Sequence, residues 1–380
     1  MRIPRRTGFV LFVVLAVMFG LVGSVEAGRQ CTWVVSILEG PSEDSAGTLA
    51  NDISDTGYIG GAWFDEFAGW HAAYWYRGDA YDLEDEIGIP EGTVYSNVLS
   101  INNGGLMVGD AWSADYSKYV GALWDLRRET CTELTTDSDD LLAVYVYGVN
   151  APGDVVGAVI EAVTVSPGFQ FHAYIWPRND RDGYKLPTTD DFLHTVCYGI
   201  NARGAIAGLG VTWDGEVHAL LWKKDAYGDY ELIDLQEEEF DDSDLIMSQA
   251  YDVGEHGAVV GNGLWDADEP PVPFVWSRRG GVETLDTGDS DTGIAWKAVG
   301  NYIAGGIGTG GSLFGQNISD DGVVWRNGTL HVVATSHEGY DYFESSSVNR
   351  RGVVVGIALK EYDEDDPSTM IPGGFVARMR

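Results

Sequence analysis

The sequence predicts an all-β chain folded as a seven-bladed β-propeller, closed by the N-terminal strand completing the last blade. Three observations predict it: a turn element repeated at roughly fifty-residue spacing, a tryptophan-ending strand after most copies, and two chain ends that complement each other. Glycine at 50 of 380 residues and aromatics at 12% suit many short strands joined by tight turns. Leucine-rich and helical repeats are shorter or carry a 3.6-residue periodicity, which this chain lacks.

The first segment stands apart from the repeats. Arg2, Arg5 and Arg6 precede an apolar run from Gly8 to Val22, and Val25-Glu26-Ala27 supplies small residues for cleavage. This reads as a secretory signal peptide, residues 1–27, leaving one domain over 28–380. The run is short for a membrane span, so an uncleaved anchor is the weaker reading, and no later segment is apolar enough to cross. The expected location is extracellular or periplasmic. Cys31, Cys131 and Cys197 cannot all pair with one another; one disulfide plus a free thiol, or three thiols, fit equally well.

The turn element reads apolar, Asn, two turn residues, Gly, then a short apolar stretch closed by a second Gly. It runs Ile101-Asn102-Asn103-Gly104-Gly105 to Gly109, Val149-Asn150-Ala151-Pro152-Gly153 to Gly157, Ile200-Asn201-Ala202-Arg203-Gly204 to Gly208 and Val348-Asn349-Arg350-Arg351-Gly352 to Gly356. Looser copies end at Gly61 and Gly261, and a shortened one at Gly305, so the closing glycines are 48, 48, 51, 53, 44 and 51 residues apart. The second element is His71-Ala72-Ala73-Tyr74-Trp75, His172-Ala173-Tyr174-Ile175-Trp176 and His218-Ala219-Leu220-Leu221-Trp222, with variants at Trp124, Trp276 and Trp325 and a degenerate copy at Gly374–Ala377. A short strand such as Tyr81-Asp82-Leu83, Thr132-Glu133-Leu134 or Leu232–Leu235 follows. Each unit thus supplies four strands: a before the turn, b with the closing Gly, c with the Trp, and d. Four-stranded units at this period are propeller blades. The last unit stops after its c strand, while Trp33-Val34-Val35-Ser36 is unmatched and similar to the d strand His331-Val332-Val333-Ala334. That strand is expected to complete blade seven and remove the open edges.

The Asn-x-x-Gly…Val-Gly element followed by His-Ala-x-x-Trp and a Leu-rich strand resembles the extracellular HAF repeat of bacterial secreted proteins. The resemblance spans residues 28–380, with both halves intact only in blades 3 and 4 and the largest departures in blades 5 to 7. It implies secretion and a repeat fold, and it carries over no activity and no catalytic residue.

Charge is lopsided, with 59 Asp+Glu against 23 Lys+Arg and a formal net of -36. No basic stripe is available to neutralise phosphates, so nucleic acid is not an expected partner. Strand order assigns each loop to a face. The b–c loops (62–70, 111–119, 159–171, 210–217, 263–272, 306–321, 358–373) hold 16 acids and two bases, Lys118 and Lys360. The d–a loops (39–47, 84–96, 135–143, 187–195, 236–248, 286–294, 335–346) hold 24 acids and no base. Together they carry a net of -38, all the net charge of residues 28–380. Thirteen of that segment's 20 bases, among them Arg127, Arg128, Arg178, Arg181, Arg326 and Arg350, fall in the c–d and a–b turns of the other face. Such a field favours cations and basic partners. A salt-adapted acidic surface is the alternative, and the six lysines favour it.

The acidic mouth also carries indoles where strand b enters its loop. Trp63 with Asp65, Trp112 with Asp115, Trp213 with Asp214 and Trp265 with Asp266 are the candidate ligand-binding residues. An exposed indole beside a carboxylate suits a sugar face or a cation, and the opposing reading is packing between blades. No cofactor is expected. Calcium is the metal that the runs Asp137–Asp140, Asp241–Asp244 and Asp363–Asp366 suit, although none has EF-hand spacing. His71, His172 and His218 share one repeat position on strand c, too far from the axis to share a metal, and are expected as hydrogen-bonded blade residues. No nucleophile elbow or zinc spacing occurs. These features lead to a secreted, non-enzymatic propeller binding an extracellular cationic, carbohydrate or basic protein ligand. The alternatives are a polysaccharide hydrolase or lyase with Asp/Glu acid–base chemistry on the same face, and a structural repeat protein of the envelope.

Overall fold

Each Asn-x-x-Gly element folds as a tight turn, and its Asn does two jobs. In blade 3 of the computed structural model, Gly153 takes φ +101°, a region strained for any residue with a side chain. Its N–H donates to Asn150 O at 3.1 Å. Asn150 Oδ1 accepts from the N–H groups of Gly153 and Asp154, while Nδ2 donates to Asn201 O of blade 4. The same onward bond runs from Asn102 to Asn150 O, from Asn201 to Gly254 O and from Asn349 to Ser54 O. A carboxylate could cap the turn but could not donate to the next blade, hence the amide. In blade 5, where Gly254 replaces the Asn, the link to blade 6 runs through Asp252 Oδ2, which accepts from Ala298 N at 2.9 Å.

The structure describes residues 32–65, 69–240, 245–309, 312–313, 316–361 and 370–380. It contains seven four-stranded antiparallel sheets, each ordered a-b-c-d. The inner strands are Ser45–Ile53, Tyr95–Ile101, Leu141–Val149, Phe192–Ile200, Met247–Val253, Gly293–Val299 and Tyr342–Val348. The closure read from the sequence is present: Trp33–Ile37 pairs antiparallel with Met370–Met379, from Trp33 opposite Met379 to Ile37 opposite Phe375. It is the outer strand of blade 7.

The closing glycines have a second cause. All seven inner strands carry a bulge at one position, leaving Asn51, Leu99, Tyr147, Tyr198, Tyr251, Trp296 and Ser346 out of register. The bulge drives an inner-strand carbonyl into strand b. A Cβ on Gly157 would overlap Tyr145 O, and the same overlap recurs at Gly61, Gly109, Gly208, Gly261, Gly305 and Gly356. Only glycine fits there.

The core lies between blades rather than within them. One cluster joins Val156, Ala173 and Ile175 of blade 3 to Phe192, Cys197, Ile206 and Trp222 of blade 4, and another joins Ala50, Ile59 and Trp75 of blade 1 to Val355 and Val376 of blade 7. The strand c tryptophans are fully buried, as expected. Trp75, Trp124, Trp176, Trp222 and Trp325 each donate Nε1 to a carbonyl of the loop that delivers their own inner strand (Glu39, Gly88, Thr135, Pro187 and Asp286).

Two d strands, Asp79–Asp82 and Tyr230–Asp234, begin two residues earlier and end one residue earlier than the sequence suggested. Asp82 and Asp234 cap single helical turns, Leu83–Glu86 and Leu235–Glu238, because each carboxylate accepts the two following free N–H groups. Cys131 and Cys197 are free thiols, and Cys31 lies outside the described residues, as does the segment 1–27.

Candidate functional site

Antiparallel order puts the b–c and d–a loops of every blade on one side of the ring, so the acid-rich loops share a face and the arginine-rich turns share the other. Both bases of the acidic loops are engaged: Lys118 Nζ lies 2.9 Å from Glu133 Oε2, and Lys360 Nζ lies 5.0 Å from the Tyr340 ring centre. A cavity of about 530 Å³ opens on this face at the seam of blades 7 and 1, between Glu39, Glu43, Tyr340, Lys360 and Pro372.

The eight candidate residues divide by depth. Trp63 is 7% exposed, stacks on His71 at 4.9 Å and donates Nε1 to Asp82 Oδ2 at 2.8 Å; it is a packing residue, not an open ligand platform. Asp65 is half-buried at the end of its strand. Trp112 is half-buried between Tyr95 and Tyr119, and Trp265 is half-buried against the cluster that contains Leu245 and Phe274. Trp213 alone of the four indoles is open, at 55% exposure, with Nε1 bonded to Asp190 O. Asp214 and Asp266 are exposed at turn tips. Asp115 is exposed too, and hydrogen bonds from Ser117 and Ser113 lower its carboxyl to about 2. The four pairs belong to blades 1, 2, 4 and 5. What survives as a surface anchor is Trp213, which joins the loops carrying the exposed acids Asp190, Asp191, Asp214 and Glu216 through its bond to Asp190 O.

A second arrangement lies on the inner strands, where the sequence pointed to no candidate. The bulge residues of blades 3 to 6 pack in series on the innermost strands: Tyr147 to Tyr198 at 5.0 Å, Tyr198 to Tyr251 at 5.7 Å, and Tyr251 to Trp296 at 4.5 Å. Trp296 Nε1 then donates to Glu344 Oε1 of blade 7 at 2.8 Å, and Ser319 Oγ donates to the other oxygen. Burial raises the Glu344 carboxyl above its usual range. On the polar side, Asn51 Nδ2 donates to Asn97 Oδ1 and Val98 O. One residue on, Asp52 accepts from Ile53 N, Ser100 Oγ, Ile101 N and Ser347 Oγ, tying blades 7, 1 and 2 together. The signal was legible: in six blades the bulge residue lies three positions before the first residue of the turn, and in the shortened blade 6 it lies four before Gly300.

The three histidines are blade residues, as expected. His71 Nδ1 lies 3.3 Å from Glu84, His172 Nε2 lies 3.1 Å from Glu161, and His218 Nδ1 lies 2.8 Å from Asp234. Burial works against the charge on Glu161, but hydrogen bonds from Lys185 and Ser138 with the charges of Lys185 and His172 outweigh it and hold the carboxyl below its usual range. Asp321 occupies the same repeat position in blade 6, where burial and then Asp320 raise it to about 6. Among the described residues no three His, Cys, Asp or Glu converge as metal ligands; the runs at 241–244 and 363–366 lie outside them.

Asp110, 3% exposed in strand b of blade 2, accepts from Val146 N and the Tyr119 hydroxyl. Burial, only partly offset by those bonds, raises its carboxyl to about 7. The folded chain therefore keeps a proton that the unfolded chain loses, and this group's contribution to stability falls as pH rises from about 4 to about 7. Asp110→Asn stays neutral throughout. Its unfolding free energy, measured in urea, is expected to match the parent near pH 4 and to exceed it above pH 7, by at most about 4 kcal/mol. Parallel pH profiles for the two proteins would refute this.

No family model and no curated protein sequence matches the chain. Its likeness is to solved structures. Pyrococcus horikoshii acylaminoacyl peptidase aligns over 90% of this chain with a TM-score of 0.53 and 10% identity, and this chain spans only 54% of that enzyme. The β-propeller domain of the trilobed protease from Pyrococcus furiosus aligns over 88% of this chain and 96% of its own, at TM-score 0.50 and 8% identity. That domain is described as an open-velcro propeller, whereas here the N-terminal strand closes blade 7. Oligogalacturonate lyase from Vibrio parahaemolyticus aligns over 92% of this chain and 98% of its own, at TM-score 0.51 and 10% identity. At these identities the shared property is the fold, and the chain is a seven-bladed β-propeller.

Proposed function

We propose that this chain is a non-enzymatic binding propeller of the HAF repeat kind, secreted after loss of residues 1–27, whose acidic face takes a cationic or basic ligand. The observation that carries the reading is the division of charge between two faces that the strand order fixes. Trp213 and the four exposed acids of the two loops it joins are the anchor: a π face and carboxylates together suit a polyamine, a basic peptide or an amino sugar. In a thermal-shift screen of Ca²⁺, neutral oligosaccharides and spermidine across ionic strength, spermidine is expected to raise the melting temperature at low salt, and Trp213→Ala to weaken that response. If bulk salt alone shifts the melting temperature, the face is a salt adaptation.

Asp320 and Asp321 favour a second reading. A carboxyl raised to about 6 beside another acid is the arrangement of an acid–base pair in polysaccharide cleavage. Product release from a polysaccharide panel that stops in Asp321→Asn would establish it.

A further inference from the structure

Four arginines converge on one cleft of the face opposite the acids. Between blades 2 and 3, the a–b and c–d turns enclose a cavity of about 510 Å³ lined by Arg127, Arg128, Arg178 and Arg181 together with Asp125 and Asp180. That volume is in the range of small-ligand sites. All four arginines are exposed, two on each wall.

The two acids are already committed to the turns. Asp125 Oδ1 accepts from the N–H groups of Arg127 and Arg128, and its Oδ2 lies 3.5 Å from Arg128 Nη1. Asp180 Oδ1 accepts from Asp182 N and Gly183 N. The opposite wall is pinned as well: Arg178 N donates to Asp154 Oδ1, and Arg181 O accepts from Thr135 N. The arginine backbones are therefore held before any ligand arrives, and the lining keeps an excess of two positive charges in a chain of net -36.

Arginine without lysine is the choice for planar, two-pronged recognition of carboxylate, sulfate or phosphate. A long polyanion would meet the repulsion of the whole chain, whereas a short one lodged in the cleft meets the local excess. Trp176, the one aromatic of the lining, is buried and offers no face for a nucleobase.

We propose that this cleft binds a compact organic anion with at least two separated oxyanionic groups, one gripped from each wall. Acidic sugars and phosphate esters share that chemistry. Titration calorimetry at low ionic strength with a di-uronate disaccharide, inorganic pyrophosphate and neutral cellobiose tests it. At least one anion is expected to bind, more weakly as salt rises, and cellobiose to be silent; the responding anion identifies the source. Arg127→Ala with Arg178→Ala is expected to lower affinity about tenfold or more, and Arg178→Lys, which keeps the charge and loses the fork, to lower it too. Arg326→Ala, on the same face in blade 6, leaves binding unchanged. Melting temperatures taken alongside show whether each variant is folded, and Arg178→Lys decides if the double variant is not. Silence from both anions, or equal losses in Arg326→Ala and the cleft variants, overturns the proposal.

Discussion

Removing the strand Trp33–Ile37 is expected to abolish the single cooperative unfolding transition of the ring. Without it blade 7 has three strands, and Met370–Met379 becomes a bare edge. Trp33, Val35 and Ile37 also leave the cluster around Phe343 and Phe375, opening a buried apolar surface. Lost ladder hydrogen bonds and lost burial together reach on the order of 5 kcal/mol, comparable to the net stability of an ordinary domain. A chain beginning at residue 38 should therefore aggregate or melt broadly in calorimetry. A synthetic peptide of residues 32–38 should restore part of the transition by adding back as a strand. An unchanged melting curve for the shortened chain would show that the closure contributes nothing.

Replacing Asp52 by Ala carries the next largest effect. Its two oxygens accept four hydrogen bonds from three blades, so truncation leaves donors of blades 7, 1 and 2 without partners in a buried place. Orphaned donors and a lost charge-assisted network put the loss at about 4 kcal/mol. Asp52→Asn keeps the shape and one acceptor and should lose about half as much. Ser100→Ala, which removes the bond to Asp52 and the longer one that Val149 N donates to Ser100 Oγ, should lose about 1 to 1.5 kcal/mol. Equilibrium urea unfolding measures all three, and equal losses across the series would mean that the network is not the cause.

Much of this fold is visible in the sequence because each blade repeats the same local problem. The turn Asn, the closing Gly and the buried Trp mark strand ends and strand order, and the N-terminal strand announces itself by having no partner. Their causes are not visible. The Asn is selected by a carbonyl in the next blade, and the Gly by a bulge on the neighbouring strand, so both depend on pairings that one repeat cannot display.

The acidic face follows from strand order and was legible for that reason. The depth of its tryptophans was not. Trp63 lies two residues past its closing Gly and is buried, Trp112 and Trp265 lie three and four past and are half-buried, and Trp213 lies five past and is open. Exposure grows with distance from the bulge, and a Trp–Asp pairing carries no record of that distance. The arginines of the cleft were placed on their face by sequence, but that two neighbouring turns wall a cavity is a property of the ring.

The onward amide bonds also set an order in time. Asn102 to Asn150, Asn150 to Asn201 and Asn201 to Gly254 span 48, 51 and 53 residues, whereas Asn349 to Ser54 spans 295. Closing that last span from an open chain costs about 1.6 kcal/mol more in loop entropy than closing one of fifty. The local joints therefore assemble first and the seam between blades 7 and 1 last. Amide exchange pulsed during refolding should find that seam protected after the other joints.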